Sequence, residues 1–410
     1  MLSWLTRNTY VKEGDDMFFE QTTLGEVSKG GKGNYGIAAS AVGYSDELYT
    51  YLRITDIKDD GTIDFGGLKS VNDEKAANYL LQPNDIVFAR TGASTGRNYF
   101  YDGSDGQFVY AGFLIKFSID PDKVNPKYVK YYCLSQEYKG WIASYNTGST
   151  RGNINAQTLA QMPLLLPERM QQDKMVDILS SIDRKIIENE KINNNLEQQA
   201  QAVYYKMFSE VNGEPVELSS IIDVRDGTHD SPKAQATGYY LITSKHLLPF
   251  GVDKASANRI SKADFDKINE RSLVETQDIL MSMIGTIGLI SYIPYEAVDF
   301  AIKNMALFKT SHTPELTYYF LCYLKSEKTL QHIEKCLAGS TQKYISLGEL
   351  RKMPIYSPTT DEIREFNYLV KPMFEEIVSR TYENALLAEM RDTLLPKLMS
   401  GELDVSDIDL

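Results

Sequence analysis

The stretch Gly148-Ser149-Thr150, followed by Met162-Pro163 and Pro167, decides the architecture of this chain because it occurs twice. Its second copy is Gly339-Ser340-Thr341, Met353-Pro354 and Pro358, and every position is displaced by the same 354 − 163 = 191 residues. Weaker echoes, such as Asp85-Ile86 and Asp278-Ile279, extend the correspondence towards the N-terminus. A period this long indicates a duplicated domain with a connector, because solenoid repeats are about 20–50 residues long.

Each copy is followed by a long segment with a helical pattern. In residues 168–208 and 359–400, apolar side chains recur at alternating steps of three and four, which predicts one buried stripe on each helix. Asn193 and Asn384 fall at equivalent positions in the two stripes, where a buried amide fixes the register of two packed helices. Pro372 removes a backbone donor in the second helix, so we expect a late start or a kink there.

The copies themselves have a mixed pattern of strands and helices. Short apolar runs at 51–57, 86–89, 113–117 and 279–283 predict strands, and residues 128–134 and 316–324 predict helices. The fold class is therefore α+β, with two mixed α/β units and an internal repeat. The expected boundaries are 1–167 for the first unit, 168–208 for a central helical spacer, 209–358 for the second unit and 359–410 for a C-terminal helical spacer.

Composition places the chain among ordinary globular proteins. Its hydrophobic content of 42% and charged content of 24% require neither a disordered nor a fibrous class. The net charge of −13 would disfavour contact with nucleic acid if it were evenly spread. However, residues 359–410 hold 12 acidic and 5 basic side chains, more than half of the excess, so the two large units are nearly neutral. Such units are able to gather lysine and arginine on one face to meet phosphates.

Several features point to a cytoplasmic protein without cofactors of its own. No apolar stretch approaches the ~20 residues of a membrane helix, and the N-terminus lacks the pattern of a signal peptide. The three cysteines, Cys133, Cys322 and Cys336, lie in apolar surroundings and are predicted to be reduced thiols. With four histidines and no paired ligand spacing, the sequence predicts no structural metal site.

Patterns that would indicate catalysis are weak. Gly31, Gly33 and Gly36 have the spacing of a dinucleotide-binding turn, with Asp56 at the distance of a ribose-binding acid, but no buried strand precedes them. Pro121-Asp122 with Glu137 and Lys139 resembles a loose metal-nuclease pattern that the second copy does not share. No nucleophile with a nearby base is identifiable. We therefore expect no catalytic residues in this chain.

Polar and basic loop residues recur in both copies and give the positive functional signal. Serine, threonine, asparagine and glutamine reach phosphates or base edges, and arginine or lysine adds charge and reads guanine in the major groove. Two domains that bind different half-sites would keep a common backbone frame and vary these contacts. The alternative interpretation is that the loops are solvated turns between strands. The candidate DNA-binding residues are Arg90, Thr91, Ser94, Arg97, Ser149, Thr150, Arg151, Asn153, Lys245, Lys303, Asn304, Ser340, Thr341, Gln342, Lys343 and Tyr344.

This layout resembles the specificity subunit of type I restriction-modification systems over nearly the whole chain. The resemblance rests on the two Gly-Ser-Thr to Met-Pro passages, on Asp226-Gly227-Thr228-His229, and on the terminal passage from Leu394 to Leu403. In that passage Leu394-Leu395-Pro396-Lys397-Leu398 leads into Met399-Ser400-Gly401-Glu402-Leu403. One departure is that Gly25-Glu26-Val27-Ser28-Lys29 stands where the second copy has its Asp-Gly-Thr-His sequence.

The resemblance implies two target-recognition domains, each reading one half of a split double-stranded DNA sequence, separated by a pair of long helices packed antiparallel as a coiled coil with pseudo-two-fold symmetry. It also implies two methyltransferase subunits that use S-adenosylmethionine to methylate adenine. Restriction subunits that hydrolyse ATP with Mg and cut DNA are implied as further partners. Catalysis would then belong to the partners, and this chain would confer specificity.

Two other classes of function remain open from the residues alone. The chain could act on DNA as an enzyme by itself, or its units could bind polypeptides as an adaptor. Retention on DNA at low salt that is lost as salt rises would argue against the adaptor. A methylation or cleavage assay on the isolated chain would reveal an autonomous enzyme.

Overall fold

The computed structural model describes residues 9–11, 18–145, 153–208, 213–338 and 344–405. By its internal contacts the chain divides into two compact units. Unit 1 comprises Met1–Lys185 and Leu387–Leu410, and unit 2 comprises Ile186–Leu386. Each unit therefore combines a globular part with segments from both long helices.

Nine α-helices occur in the described residues. They are α1 (Pro126–Tyr132), α2 (Gln136–Tyr145), α3 (Ala156–Ala160), α4 (Arg169–Phe208), α5 (Lys262–Ser272), α6 (Thr317–Leu324), α7 (Glu327–Ala338), α8 (Leu347–Arg351) and α9 (Thr360–Ser400). The two long helices, α4 and α9, begin and end within one residue of the segments that the apolar stripe predicts.

The strands of unit 1 are β1 (Thr9–Val11), β2 (Phe18–Thr23), β3 (Asn34–Tyr35), β4 (Ala41–Val42), β5 (Tyr49–Leu52), β6 (Lys69–Val71), β7 (Asp85–Ala89), β8 (Asn98–Tyr101), β9 (Phe108–Tyr110), β10 (Leu114–Ser118) and β11 (Pro163–Leu166). Those of unit 2 are β12 (Val216–Glu217), β13 (Val224–Asp226), β14 (Tyr239–Ile242), β15 (Leu247–Leu248), β16 (Gly251–Val252), β17 (Asn258–Ile260), β18 (Ile279–Ser282), β19 (Ile290–Tyr292), β20 (Phe300–Ile302), β21 (Met305–Phe308) and β22 (Pro354–Ile355).

Strand order confirms the internal repeat. Unit 1 has a four-stranded sheet in the order β3-β10-β7-β8, and unit 2 has the matching order β13-β21-β18-β19. A second sheet in each unit contains a parallel pair of strands, which is β5 with β9 in unit 1 and β14 with β20 in unit 2. Each unit also has a further antiparallel pair, which is β2 with β11 in unit 1 and β12 with β22 in unit 2. The strands β11 and β22 begin at the prolines of the two Met-Pro passages. The fold is α+β, with the same sheet framework built twice.

A buried carboxylate marks the start of the same strand in both units, because Asp85 is the first residue of β7 and Asp278 directly precedes β18. Asp85 accepts a hydrogen bond from the backbone N–H of Gln82 (2.8 Å) and pairs with Lys116 (3.0 Å). Asp278 accepts from the N–H of Glu275 (2.7 Å) and pairs with Lys309 (2.6 Å). These contacts satisfy the buried charges. The matching of β7 with β18, suggested by the Asp-Ile echo, therefore extends to side-chain contacts.

Two glycines correct the sequence alignment of the units. A Cβ on Gly36 would lie 2.2 Å from the carbonyl oxygen of Ala111, and one on Gly227 would lie 2.5 Å from that of Ile302. Both glycines are needed because a neighbouring strand passes too close for any side chain. The equivalent of Asp226-Gly227-Thr228 is thus Tyr35-Gly36-Ile37. The expectation that Gly25–Lys29 occupies that place is wrong.

Within each unit, α4 and α9 pack antiparallel. In unit 1, Met175 and Leu179 of α4 share a core with Leu395 and Leu398 of α9. In unit 2, the ring of Tyr204 lies 6.3 Å from that of Phe366. Residue numbers therefore increase along α4 in the direction in which they decrease along α9. Both predicted stripes are buried or half-buried along their lengths.

A polar cluster interrupts the apolar stripe in unit 2. Asn189 is fully buried, and its Nδ2 donates to Glu383 Oε2 (2.7 Å) and Asn384 Oδ1 (2.8 Å). Its Oδ1 accepts from Arg380 Nη1 (2.8 Å). On α4 it is Asn189, not the predicted Asn193, that makes these contacts; Asn193 Oδ1 is buried without a hydrogen-bond partner among the described residues. This follows from the antiparallel register, which places Asn189 opposite Arg380, its own counterpart at a distance of 191 residues.

Two local expectations, a late start of the second long helix and a strand over 51–57, are wrong. The helix α9 begins at Thr360 and continues through Pro372 without interruption. Pro372 is exposed and Tyr368, one turn before it, is 82% exposed, so water is able to replace the lost hydrogen bond. The predicted strand at 51–57 ends at Leu52, because Arg53 turns back to form an ion pair with the buried Asp56.

The cysteines are free thiols in the structure, with Cys133 and Cys322 buried and Cys336 half-buried. Burial raises the pKa of the Cys133 and Cys322 thiols above the usual value. None of the helices in the described residues combines the length with the apolar character that a membrane span requires.

Candidate nucleic-acid interface

The candidate residues fall into two equivalent loop regions and a third group in unit 2. Seven of them, Ser149, Thr150, Arg151, Ser340, Thr341, Gln342 and Lys343, lie outside the described residues. Directly after these segments, Asn153 forms a backbone bridge with Thr91, and Tyr344 forms one with Ile284. We call the first place the unit 1 tip (residues 90–97 with Asn153) and the second the unit 2 tip (residues 283–288 with Tyr344).

The unit 1 tip holds Arg90 between two aromatic rings. Its guanidinium carbon lies 5.3 Å from the ring centre of Tyr35 and 5.9 Å from that of Phe113. Its Nη1 donates to Asn153 Oδ1 at 3.3 Å. The rings themselves are accessible, with Tyr35 46% and Phe113 57% exposed. The structure therefore brings Arg90, Thr91 and Asn153 together.

The other two candidates of this tip are placed differently. Ser94 ends a short 3-10 helix (Gly92–Ser94), and its carbonyl accepts a hydrogen bond from the backbone N–H of Arg97. Arg97 forms an ion pair with Asp59, with Nε 2.7 Å from Oδ1, and also donates to the carbonyl of Ile57. Its charge is thus already neutralised by a neighbouring loop.

The unit 2 tip has the same backbone frame and different chemistry. The N–H of Ile154 donates to the carbonyl of Arg90, and the N–H of Ile345 donates to the carbonyl of Met283, so Met283 is the counterpart of Arg90. Met283 is buried, whereas Ile284 and Tyr344 are each 43% exposed. An apolar surface thus stands where unit 1 presents a cation.

The third group surrounds the Asp-Gly-Thr-His turn of unit 2. His229 is hydrogen-bonded through Nε2 to Asp226 Oδ2 (3.0 Å) and through Nδ1 to Asn304 Oδ1 (2.8 Å). Arg271 also contacts the carboxylate of Asp226. Beside them, Lys303 Nζ donates to Ser231 Oγ at 2.6 Å. The structure therefore joins the predicted Lys303 and Asn304 to the turn that carries the family resemblance.

A pocket of about 350 Å³ opens beside this turn and α5. Its polar lining includes the hydroxyl groups and cations of Thr228, Ser231, Lys267 and Arg271, and also the carboxylates of Asp230 and Asp264. Hydroxyl groups and cations of this kind bind phosphate oxygens or base edges. The remaining candidate, Lys245, is exposed in the 3-10 turn Ser244–His246.

Sequence reasoning missed several members of these groups. Tyr35 and Phe113 flank Arg90 only because β3 and the turn before β10 meet in space, which no local pattern indicates. Asp226 and Arg271 were likewise not chosen. One signal was available, because the offset of 191 residues relates Gly36 to Gly227 and would have directed attention to Tyr35.

Within the described residues, no group of three or more His, Cys, Asp or Glu side chains is placed to hold a metal ion. The buried Asp56 is engaged by Arg53, so the glycine spacing at 31–36 is not accompanied by a free acid. The arrangement offers hydrogen-bond donors, cations and exposed rings on a repeated frame.

Comparison with known proteins identifies the repeated framework. A protein-family model described as the type I restriction modification DNA specificity domain matches residues 19–198 and again residues 210–366. The specificity subunit of the type I restriction enzyme MjaIX from Methanocaldococcus jannaschii is 24% identical over 322 residues, covering 71% of this chain and 72% of that protein. The specificity subunit of the HindI enzyme from Haemophilus influenzae is 22% identical over 408 residues, covering 80% and 88%.

A solved structure has the same fold. The S subunit of a type I restriction-modification system from M. genitalium aligns over 96% of this chain and 99% of its own length, with a TM-score of 0.51 and 15% sequence identity. At that identity the likeness concerns the fold alone.

Proposed function

Since the chain belongs to the type I restriction-modification DNA specificity family, we propose that each of its two units reads one half of a split DNA target. DNA target recognition is the function of this family. The finer assignment, one half-site per unit, is supported by one observation above the others. The two tips share a backbone frame, and the side chains presented on it differ.

The divergence between the tips argues for two different half-sites. Arg90 and Asn153 in unit 1 correspond to Met283 and Tyr344 in unit 2. Hydrogen-bonding side chains distinguish the donor and acceptor patterns of base edges, and apolar side chains contact the methyl group of thymine. Units that read the same half-site would need the same contacts.

We propose that the chain itself is not catalytic and directs partner subunits. In this scheme two methyltransferase subunits bring S-adenosylmethionine and methylate adenine, and restriction subunits bring ATP and Mg. The specificity subunits of this family are not the catalytic components. A cytoplasmic location stays a prediction.

Selection of binding sites from random duplex DNA by the full chain with its partner subunits tests the proposal. We expect two short specified elements separated by an unspecified spacer, and binding that weakens as salt rises, because phosphate contacts release counterions. A single continuous site, or capture of DNA that is insensitive to salt, would contradict it. Methylation by the isolated chain would favour an autonomous enzyme.

We further propose that the lengths of α4 and α9 set the spacer. Residues of α4 beyond Asn189 pair with residues of α9 before Arg380, as Tyr204 does with Phe366. Matched insertions of four residues after Asn193 and after Phe374 therefore leave the polar cluster in register. At a rise of 1.5 Å per residue they add ~6 Å, and we expect a spacer about two base pairs longer. An insertion in α4 alone is the control, since it breaks the pairing.

A further inference from the structure

We propose that Arg90 is the residue with which unit 1 reads a guanine in its half-site. The inference rests on the proposed function and adds to it the identity of one base and the side chain that selects it. Three properties of Arg90 carry it: a fixed position, a charge that no carboxylate neutralises, and a planar set of donors that is mostly unused.

The position of Arg90 is fixed from several directions. Its backbone N–H donates to the carbonyl of Phe113 (3.1 Å), and its carbonyl accepts from the N–H of Ile154 (2.9 Å). The guanidinium is flanked by the rings of Tyr35 and Phe113 and linked to Asn153. A side chain held this way loses little conformational entropy when it binds a ligand.

The charge of Arg90 has no carboxylate partner among the described residues. This distinguishes it from two other arginines of unit 1, because Arg97 is paired with Asp59 and Arg53 with Asp56. Attraction to aromatic ring faces uses none of the N–H donors. Since Nε is buried, the donors left for a ligand are the N–H groups of Nη1 and Nη2 that Asn153 does not take. Arg90 therefore keeps its charge available for an electronegative ligand.

The geometry favours a base edge over a phosphate. A guanidinium presents its donors in one plane, which matches the O6 and N7 acceptors of guanine in the major groove. A phosphate contact needs charge and little orientation, which an exposed lysine such as Lys245 is able to provide. Exposed rings on both sides of Arg90 also offer apolar surface beside the neighbouring bases, which phosphate binding does not require.

Target preference in the Arg90→Ala variant tests the inference. The full chain, assembled with its partner subunits, is presented with random duplex DNA, and the selected sites are compared with those of the wild type. We expect one G·C position in one half-site to lose its preference, with discrimination at that position falling about 5- to 150-fold. The other half-site and the spacer are expected to remain unchanged.

Two further variants make the outcome unambiguous. Arg169→Ala removes the same charge from the same unit outside the tip, and since Arg169 is exposed and already paired with Asp173 we expect its target to stay the same. Arg90→Lys keeps the charge without the planar pair of donors. We expect this variant to melt at the wild-type temperature and to retain general DNA affinity, with reduced preference for guanine.

Three results would overturn the inference. They are an unchanged target in Arg90→Ala, a change at a position that is not G·C, and equal weakening on all sequences, which is the behaviour of a phosphate contact. Failure of the proposed function is separate, because it would show in the wild-type assembly as the absence of any split target.

Discussion

Unit 1 and unit 2 contain sheets of the same strand order and differ in the side chains at their tips. The strand orders β3-β10-β7-β8 and β13-β21-β18-β19 correspond, and each framework contains a glycine against a neighbouring strand and a buried aspartate paired with lysine. At the tips, Arg90 between its rings corresponds to the buried Met283 beside the exposed Ile284. The framework is retained where it determines stability and varies where it would meet DNA.

The largest expected effect distinguishes the two buried aspartates. In Asp278→Asn, Lys309 remains 1% exposed and loses its buried partner. It keeps Glu275 at 2.7 Å, which is 46% exposed, so we expect a cost of about 3–4 kcal/mol, the lower part of the range for breaking a buried pair. In Asp85→Asn, Lys116 is 16% exposed and reaches water more easily, so we expect about 1–3 kcal/mol. Denaturant unfolding of both variants measures the difference. Equal losses would mean that the depth of burial of the lysine is not what matters.

The shared glycine gives the next effect. A methyl group in Gly36→Ala would meet the carbonyl oxygen of Ala111, and we expect a loss of about 3 kcal/mol, the upper end for overpacking. Gly43→Ala is the matched control in the same unit, because nothing lies within 4 Å of its added methyl group. Thermal melting compares the two. A stable Gly36→Ala variant would contradict the close approach of the strands.

The attachment of the helices differs between the units and should respond differently to pH. In unit 1, Asp183 of α4 contacts Lys130 (2.9 Å), Tyr131 (2.8 Å) and Arg391 (3.3 Å). Its counterpart 191 residues later is Phe374, which stacks on Tyr318 with ring centres 5.0 Å apart. Burial alone would raise the pKa of Asp183, but these partners outweigh it and hold the pKa below its usual 3.8.

Because the folded-state pKa of Asp183 is lowered, its stabilising effect is present above the unfolded value and is lost as pH falls through the folded one. We expect Asp183→Asn to cost about 1.5–3 kcal/mol at neutral pH and progressively less below pH 3.8. Melting curves from pH 7 to pH 3 measure this. The control Phe374→Leu should show a loss that does not vary over the same range.

The smallest expected effect concerns the unit 2 tip. Replacing both Ile284 and Tyr344 by alanine removes apolar contacts, and we expect DNA binding to weaken by about 1 kcal/mol at every salt concentration. Apolar contacts release no counterions, so the salt slope should not change, whereas Lys245→Ala should reduce it by about 1. Binding isotherms over a salt series measure both the affinity and the salt slope of each variant. A reduced slope in the double variant would contradict an apolar tip.

Much of the framework follows from the sequence. The offset between Pro163 and Pro354 reveals the repeat, and the spacing of apolar residues gives α4 and α9 nearly to the residue. The matched Asp85 and Asp278 are visible as short echoes because Asp85 is the first residue of a buried strand and Asp278 directly precedes one. These features depend on local pattern and on comparison of the chain with itself.

The remainder depends on contacts between distant segments. Asn189 and not Asn193 contacts Arg380, since the partner of each residue is set by the antiparallel register, which periodicity leaves undetermined. Tyr35 and Phe113 reach Arg90 through strand pairing, and the pairing of Arg97 with Asp59 spans 38 residues. Sequence reasoning therefore named both Arg90 and Arg97 as candidates and could not tell that Arg97 is neutralised by Asp59 whereas Arg90 has no carboxylate partner among the described residues.

The central claim, that each unit reads its own half of a split target, is tested most directly by mapping methylated adenines. The map would be made in DNA from cells carrying the full system with the wild-type chain, with Arg90→Ala, or with the Ile284 and Tyr344 double variant. We predict a split target for the wild-type chain. Arg90→Ala should relax the specificity of one half, and the Ile284 and Tyr344 double variant should relax only the other half. A continuous target, or variants that alter the same half, would contradict the account.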